Sequence, residues 1–368
     1  MKNLSFSIII LLSLFMVGLL SCKSGGSNKD ELIKDSVLKA ENVTEALLDF
    51  FEKSGNYINS KNIPALVLGD DVFENIKTYK LIDVRDSLDY RAGHIEGAEN
   101  VLTKDIINYM KIDVSAVSYE KIVIISNSGF DASYVTSMLR LLGYNNVFAL
   151  KYGMSSWNKE VAQKYWANNL SSKYTSTLET VDNVKLEKSN YPVLKTGKST
   201  AYEILEFRAQ ELLDSLVYRT TADDVFNNLS SLYVINYWPE FQYEKGHIPG
   251  AVQYSPRESF VKDSVLLILP SNKPIVLYEY TGHHSAFATA YLQILGYNAI
   301  ALEYGTNAIM YNQLAPKQIG RIFNMKLVSD YPVVTGEYAT TEQKELVEKI
   351  TKTFTKIFEN MNQYFILN

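Results

Sequence analysis

The sequence predicts an α/β protein with two domains, each a mostly parallel sheet flanked by helices, with additional linking and terminal helices. Three observations support this prediction. Short β-branched runs alternate with helical stretches along the chain, an order typical of parallel sheets. The same series of segments occurs twice. A chain of 368 residues, 46% of them hydrophobic, is long enough to bury two or three separate cores.

Several motifs recur at a constant spacing. The pairs are Asp70 to Phe73 with Asp223 to Phe226, Gly93 to Ala98 with Gly246 to Ala251, and Gly129 with Gly282. The spacing is 153 residues, because 223 less 70, 246 less 93 and 282 less 129 agree. The chain is therefore a tandem duplication. Asn190 to Val193 also returns as Asp330 to Val333, but 140 residues later, which predicts a second copy that is shorter near its end.

Each copy repeats the same order of predicted elements. The predicted strands are Tyr79 to Val84, Ile122 to Ile125, Leu232 to Asn236 and Ile275 to Tyr278, and the predicted helices that follow are Ala132 to Leu142 and Ala286 to Leu295. Sites in parallel sheets lie at the carboxyl ends of strands. The loops at Ser126 to Asp131 and Glu279 to His284 are therefore the candidate sites.

Amphipathic stretches outside these elements predict three further helices, from Asp35 to Lys53, from Ala201 to Val217 and from Thr341 to Asn360. The middle helix connects the two copies. Its apolar residues are expected to pack at the domain boundary, and they are Ile204, Leu205, Leu212 and Leu216. Binding of a partner is the alternative role for such stripes.

The N-terminus predicts export. Lys2 and the apolar run from Leu4 to Leu20 have the pattern of a secretory signal. The run ends at Ser21-Cys22 and resembles the lipobox of bacterial lipoproteins, which implies a lipid on Cys22. We therefore expect a signal peptide over residues 1–21, a flexible tether over 22–33 and a lipid-anchored, extracytoplasmic protein of the bacterial cell envelope. An uncleaved transmembrane anchor is the alternative.

Charge and cysteine content exclude several kinds of function. The net charge of −5 and isoelectric point near 5.6 give no basic surface, so no nucleic-acid partner is expected. The chain has one cysteine, Cys22. Since this residue precedes the folded part, neither a disulfide nor a catalytic thiol is expected there.

Leu81 to Val101 (LIDVRDSLDYRAGHIEGAENV) closely resembles the rhodanese signature, and Leu141 to Asn158 (LLGYNNVFALKYGMSSWN) resembles the helix and glycine turn that follow the active-site loop in that family. The resemblance covers about residues 60–160 and 213–313. Together with the three flanking helices, the resemblance predicts a first rhodanese-like domain with its N-terminal helix over 34–196, a second with the linking helix over 197–335, and a C-terminal helix over 336–368.

The resemblance also implies a chemistry. In rhodaneses a loop written Cys-x-x-Gly-x-Arg holds a persulfide on the cysteine and transfers sulfur from thiosulfate or a related donor, with backbone N–H groups and the basic residue stabilising the thiolate and the anion. Ser126 and Asp131 replace the cysteine and the arginine in the first copy, and Glu279 and His284 replace them in the second. Because Asp131 and Glu279 add negative charge, both pockets are expected to repel thiosulfate.

No catalytic residue of the family's kind is therefore expected. The candidate binding-loop residues are Arg85, Ser126, Asn127, Ser128, Gly129, Phe130, Asp131, Glu279, Tyr280, Thr281, Gly282, His283, His284 and Ser285. Arg85 keeps the family's arginine and is expected to pair with a carboxylate such as Asp131. Trp238 stands at the corresponding place in the second copy and is expected to fill the pocket by packing.

These residues favour a binding or scaffold module, attached to the membrane through Cys22, with an unknown protein or small molecule as partner and with neither cofactor nor metal. Three alternatives stay open. Ser126 with His94 suggests a serine hydrolase. Glu279, His283 and His284, with His247, suggest metal-assisted chemistry. The third alternative is residual binding of a sulfur compound.

Overall fold

The computed structural model describes residues 43–114, 118–314 and 322–336. The first sheet has the strand order β1-β5-β4-β2-β3, and every neighbouring pair is parallel. Its strands are β1 (Leu66–Val67), β2 (Lys80–Asp83), β3 (Glu99–Asn100), β4 (Ile122–Ile125) and β5 (Val147–Leu150). All four residues of β4 are buried, because helices cover both faces of the sheet.

The helices of the first half connect these strands. They are α1 (Val43–Lys53), α2 (Gly69–Glu74), α3 (Ser87–Ala92), α4 (Ile106–Tyr109), α5 (Phe130–Leu141), α6 (Met154–Trp157) and α7 (Lys159–Tyr165). Of these, α5 follows directly on the first candidate loop. It begins two residues before the predicted start, because Gly129 takes a left-handed conformation (φ 83°) that turns the chain straight into the helix.

The second half repeats this architecture. Its sheet has the order β6-β10-β9-β7-β8, again entirely parallel. The strands are β6 (Arg219–Thr220), β7 (Tyr233–Asn236), β8 (Val252–Gln253), β9 (Ile275–Tyr278) and β10 (Ala299–Leu302), and the helices are α8 (Ala201–Ser215), α9 (Ala222–Asn227), α10 (Glu240–Tyr243), α11 (His283–Ile294) and α12 (Tyr311–Leu314). The fold class and the duplication predicted from the sequence are confirmed.

The linking helix α8 packs against α1, against α5 of the first half and against α11 of the second, as predicted. A capping box between Thr200 and Glu203 starts it. Its buried stripe differs in part from the predicted one and consists of Ala201, Ile204, Leu205, Ala209 and Leu213. Leu212 is only half-buried and Leu216 is 42% exposed, because the helix has already ended at Ser215.

Of the other two predicted flanking helices, one is described in part and the other lies outside the described residues. The helix predicted from Asp35 is described from Val43 onward, where it is α1. The predicted helix from Thr341 to Asn360, the signal peptide and Cys22 lie outside the described residues. Within the described ranges, none of the helices combines the length and the apolar character needed to cross a bilayer.

The two halves pack through α5 and α11, which lie against each other. The Ser137 hydroxyl on α5 donates to the carbonyl of Phe287 on α11 at 2.9 Å. Both helices are buried over almost their whole length. The candidate loops, which immediately precede these helices, therefore lie at the junction of the two halves.

An extended segment that follows each domain lies across the other domain. Residues 171–183 bond to the second domain, where Glu179 pairs antiparallel with His247, and residues 329–336 bond to the first, where Val334 pairs with His94. Tyr331 stacks on Phe73 with a centroid distance of 4.0 Å.

Tyr174 stacks in the same way on Phe226, at 3.8 Å. Phe226 is the repeat counterpart of Phe73, so the structural counterpart of Tyr331 is Tyr174. The sequence pairing of Tyr331 with Tyr191 is therefore wrong as a structural equivalence, because Tyr191 instead bonds to Asp263.

Candidate functional site

The first loop closes around the side chain of Ser126, which is 1% exposed at the carboxyl end of β4. The Ser126 Oγ accepts the backbone N–H groups of Gly129 at 3.1 Å and Ala132 at 3.2 Å. A Cβ atom on Gly129 would lie 2.8 Å from the backbone nitrogen of Tyr152, so only glycine fits there. The loop therefore forms a small ring of N–H donors, and a hydroxyl of the chain itself occupies it.

The second loop has the same form with a carboxylate in the ring. Glu279 is 6% exposed. Its Oε2 accepts the N–H of Thr281 at 3.0 Å, and its Oε1 accepts the N–H of His284 and the hydroxyl of Thr281, each at 3.2 Å. Burial raises the pKa of Glu279, while the hydrogen bonds from Thr281 and His284 oppose that rise. The anion-binding position of this loop is filled by an acidic side chain of the same loop.

His283 joins the second loop to the first domain. Its Nε2 accepts the backbone N–H of Tyr152 at 3.1 Å, and its Nδ1 lies 2.7 Å from the Thr281 Oγ1. Because a backbone N–H can only donate, Nε2 is unprotonated and Nδ1 carries the proton. Burial, with a smaller contribution from Lys151, lowers the pKa of His283 to about 3. A neutral imidazole thus links the two domains.

The two adjacent histidines diverge. His284 packs its ring edge-on against Tyr237 at 5.1 Å, and among the described residues its buried Nε2 has no hydrogen-bond partner. His247 is used elsewhere, since its Nδ1 bonds to the Tyr243 carbonyl at 2.9 Å. In the described part of the chain no three His, Cys, Asp or Glu side chains form a group suited to a metal ion. The described residues therefore provide no set of ligands for the metal-assisted alternative.

Ser126 and His94 also use separate partners. The Nδ1 of His94 bonds to the Tyr90 carbonyl at 2.9 Å, and the imidazole stacks on the Tyr90 ring at 3.7 Å. The Ser126 oxygen is held inside its loop by backbone donors. His94 therefore packs against Tyr90 and does not contact the Ser126 hydroxyl. The serine hydrolase alternative would need these two side chains in contact, as nucleophile and base.

Arg85 does not pair with Asp131, so that expectation is wrong. The Arg85 guanidinium binds Asp83, with Nη2 at 2.7 Å from Oδ2, and donates to the Gly93 carbonyl at 2.8 Å. It also lies 3.5 Å from the Asn127 Oδ1. Asp83, two residues before Arg85 at the end of the same strand, is closer than Asp131 across the loop. The sequence analysis did not consider Asp83 as the partner.

Asp131 instead contacts the second domain. Its carboxylate accepts hydrogen bonds from the Tyr218 hydroxyl and from Arg219, which is also an ion-pair partner. Arg219 further pairs with Glu303 at 3.3 Å, and Glu303 lies 3.4 Å from the Ser128 hydroxyl. The charge of Asp131 is therefore offset by Arg219. The repeat could not identify Arg219 as a site residue, because its counterpart in the first copy is the apolar Leu66.

The remaining candidate residues are mostly structural. Asn127 donates to Asp89 at 2.7 Å, and Ser285 donates to the Gly282 carbonyl at 3.0 Å. Phe130 packs against Gly282, where an added Cβ would lie 3.1 Å from the ring. Tyr280 stacks on Trp238 at 4.7 Å, and Trp238 is 2% exposed. The expected packing role of Trp238 is confirmed.

A cavity of about 400 Å³ lies away from both loops. It is formed by α4 and α8 and by the turn after α4, and it is lined by apolar and charged side chains, among them Ile107, Tyr202 and Phe207. Lys111 and Glu206 form an ion pair at its edge, at 2.5 Å. At the two loops, by contrast, Ser126 and Glu279 are buried.

Comparison with protein-family models identifies the fold. The rhodanese-like domain model matches residues 70–160 and 223–311. This chain carries two rhodanese-like domains. The matched segments include both candidate loops and every strand of the two sheets except β1 and β6.

Individual relatives match over short stretches. The tRNA uridine(34) hydroxylase of Acinetobacter baylyi is 28% identical over 29% of this chain and 32% of its own length. Uncharacterized protein YibN of Escherichia coli K12 is 28% identical over 22% of this chain and 56% of its own length. Thiosulfate sulfurtransferase GlpE of Pseudoalteromonas translucida is 26% identical over 23% and 77%. The chain thus spans about a third to just over half of the first two relatives.

Among solved structures, thiosulfate sulfurtransferase from Pseudomonas aeruginosa matches at 14% identity over 73% of this chain and 47% of that chain, with a TM-score of 0.24. A rhodanese-related protein from Thermoplasma volcanium matches at 24% identity over 26% of this chain and 90% of that chain, with a TM-score of 0.22.

Proposed function

We propose that this protein is a lipid-anchored module of the cell envelope whose two rhodanese-like domains no longer transfer sulfur and instead serve binding or scaffolding. The observation that carries the proposal is the content of the two loops. In each, the ring of backbone N–H donors is occupied by a side-chain oxygen of the same chain, from Ser126 in one and from Glu279 in the other.

The chemistry of these oxygens supports the loss of sulfur transfer. A serine hydroxyl is barely ionised at neutral pH without an adjacent base, and it cannot carry a persulfide. The Glu279 carboxylate takes up the donors that would bind an anion, and its charge repels thiosulfate. Each domain has its own substitution at the nucleophile position, Ser126 in the first and Glu279 in the second, so each is expected to be inactive.

The contacts between the domains support a scaffold. The bond from Tyr152 to His283 and the Asp131–Arg219–Glu303 network tie each loop to the opposite domain. Loops that open for substrate usually carry few buried contacts, whereas these carry many. The former catalytic loops then act as an interface that holds the two domains in one arrangement.

Location at the envelope rests on the N-terminal sequence. The apolar run from Leu4 to Leu20 followed by Ser21-Cys22 has the order of a processed and lipidated signal. Anchoring by lipid would place a two-domain acidic module beside the membrane, joined by the tether of residues 22–33. A partner protein or small molecule would then bind the exposed surface, for which the cavity beside Phe207 is a candidate.

An assay of thiosulfate:cyanide sulfurtransferase activity tests the proposal, with wild-type protein expected to show none. Ser126→Cys should gain a measurable rate, because the thiolate would accept the N–H groups of Gly129 and Ala132 that now bind the serine. Ser133→Cys is the matched control, since the hydroxyl of this buried serine donates to the Gly129 carbonyl and accepts no backbone N–H from the residues that the structure describes.

Turnover by the wild-type protein would overturn the proposal. A Ser126→Cys variant that folds but takes up no sulfur would show that the first loop has lost its anion-binding geometry as well as its nucleophile. Activity in Ser133→Cys equal to that in Ser126→Cys would show that any buried thiol suffices, and the role assigned to the ring of N–H donors would be wrong.

A further inference from the structure

The cavity between α4 and α8 has walls that are held in place by contacts of the protein itself. The Gln210 amide on α8 donates to the Lys104 carbonyl, just before α4, at 2.7 Å. After α4, Lys111 pairs with Glu206 of α8 at 2.5 Å. The volume of about 400 Å³ lies within the range of about 300–1,000 Å³ that is usual for small-ligand sites. The cavity is therefore a preformed space large enough for a small molecule.

One wall of this cavity carries an exposed aromatic ring. Phe207 lies on a different face of α8 from the buried stripe and is 40% exposed. The Lys198 ammonium lies 5.3 Å from the centre of the ring. Because a cation–π contact at an exposed site is weak, a ligand can displace this ammonium. Phe207 therefore offers a flat apolar surface to a ligand.

The charged side chains of the lining balance each other. They are two lysines and two glutamates, Lys111, Lys198, Glu203 and Glu206. A charge on a ligand would be attracted by one pair and repelled by the other, so the lining as a whole favours neither an anion nor a cation.

Uncharged polar groups of the lining are available to a ligand. In the part of the chain that the structure describes, neither the Asn108 amide nor the Tyr202 hydroxyl makes a hydrogen bond. Asn108 is exposed and Tyr202 is half-buried. An amide and a hydroxyl can each donate and accept. A purely apolar ligand would take these groups away from water without replacing their hydrogen bonds, which is costly.

We propose that this cavity binds a neutral sugar ring of the pyranose class. The C–H groups on one face of such a ring pack against Phe207, as apolar surface does against an aromatic side chain. The sugar hydroxyls both donate and accept, so they match the mixed lining of Asn108, Tyr202, Glu203 and Glu206. The balance of charge in the lining suits a ligand that carries none.

The second copy provides an internal comparison. Ile107, which borders the cavity, has Phe260 as its repeat counterpart, since 260 less 107 is 153. Phe260 is 1% exposed, and its ring centre lies 5.3 Å from that of Tyr237 and 6.4 Å from that of Tyr254. The larger side chain is thus packed in the core of the second copy, whereas the smaller one borders a cavity in the first. A phenylalanine at position 107 is therefore expected to fill part of the cavity.

The inference rests on the proposed binding role, because it names the class of ligand for the cavity beside Phe207. The two are tested at different places. Sulfur transfer is measured at the loops and sugar binding at the cavity, so a lack of sugar binding would leave the proposed loss of sulfur transfer intact, and sulfurtransferase activity would leave the sugar site intact.

Binding of sugars to the purified full-length protein tests the inference, in a detergent whose headgroup is not a sugar. Glucose, galactose and N-acetylglucosamine are titrated separately, and binding is followed by ligand-observed NMR and by the melting temperature. Saturable binding of at least one of them is expected, whereas the charged probes benzoate and tetramethylammonium should not bind. A linear tetramer of the best-bound sugar is then compared with the monomer. Tighter binding of the tetramer indicates a polysaccharide as the source of the ring, and equal binding indicates a free sugar.

Phe207→Ala should weaken binding by about 3- to 10-fold, the range for the loss of one aromatic contact. Phe241→Ala is the matched control and should leave the affinity unchanged. Phe241 is also exposed, at 57%, and has the Lys245 ammonium 5.4 Å from its ring centre, but it does not line the cavity. Ile107→Phe, which installs the residue of the second copy, should weaken binding at least as much as Phe207→Ala.

A lack of saturable binding of all three sugars by wild-type protein would overturn the proposal, as would binding of benzoate or tetramethylammonium in preference to them. Equal affinities of wild type and Phe207→Ala, or equal losses in Phe207→Ala and Phe241→Ala, would place the sugar elsewhere and overturn it too. If Ile107→Phe does not fold, Phe207→Ala still decides the matter, because the side chain that it removes is exposed.

Discussion

Acid should destabilise this protein through His283 before most carboxylates titrate. The His283 ring is 1% exposed, and its Nε2 is the acceptor for the Tyr152 N–H across the domain boundary. Protonation would put a proton on that nitrogen, break the bond and leave a charge in a buried position. The pKa of this imidazole is accordingly lowered to about 3 by burial, from an ordinary 6.5.

The sign and size of the effect follow from that difference. A group whose pKa is depressed by folding contributes stability that is fully present above pH 6.5 and is lost as the pH falls toward 3. At pH 5 the imidazole of the unfolded chain is almost fully protonated and that of the folded chain is neutral. The free energy of unfolding should therefore be lower at pH 5 than at pH 7 by about 2 kcal/mol from His283 alone.

Urea unfolding of full-length protein at pH 7 and pH 5 measures the loss, and His283→Gln is the perturbation. Glutamine can still accept the Tyr152 N–H but does not titrate, so the loss between the two pH values should shrink by about 2 kcal/mol. The raised pKa of Glu279 works in the opposite direction, because protonating a buried carboxylate relieves its desolvation.

The comparison is therefore repeated in a Glu279→Gln background, which removes that second titration. The variant without His283 should again lose less stability on acidification than its parent. Equal losses with and without His283 in both backgrounds would refute the reasoning, because the imidazole would then titrate normally in the folded protein.

Three further outcomes are expected. Leu213→Ala, at a fully buried position of α8, should lower the free energy of unfolding by roughly 2–5 kcal/mol. Leu216→Ala, at an exposed position, should change it by under about 0.5 kcal/mol. Equal effects of the two variants in urea titrations would contradict the buried stripe assigned to α8. A double-mutant cycle of Asp131→Asn with Arg219→Gln should give a coupling of only about 0.5–1 kcal/mol, since both side chains are partly exposed, and a coupling of zero would remove Asp131 from the interface. Cys22→Ser should move the protein from the membrane fraction to the soluble fraction of fractionated cells, and unchanged retention would indicate an uncleaved anchor.

The consequence for restoring activity depends on Asp131. From the sequence, this aspartate is expected to repel the donor, so that a cysteine alone would help little. In the structure the Asp131 carboxylate is engaged by Arg219 and Tyr218. Ser126→Cys alone should therefore perform as well as Ser126→Cys with Asp131→Arg, and the second change should cost stability because it puts two cations side by side.

Local sequence determined the elements and their order. The strand from Ile122 to Ile125 is observed with its predicted bounds, because four consecutive β-branched residues fit only an element buried on both faces. The glycines at 129 and 282 mark the loop turns, because an added Cβ would meet backbone atoms at both positions. The repeat spacing predicted that the same order of elements occurs twice, and the strand orders of the two sheets agree.

Only the tertiary structure decided the partners of the polar side chains. Asp131 pairs with Arg219 and not with Arg85, and His283 bonds to Tyr152, because packing of α5 against α11 brings together residues far apart in the chain. Contacts of this kind cannot be predicted from a single sequence. It identifies which residues carry charge or hydrogen-bonding groups, whereas the distances that give each group its partner are set when the two domains pack.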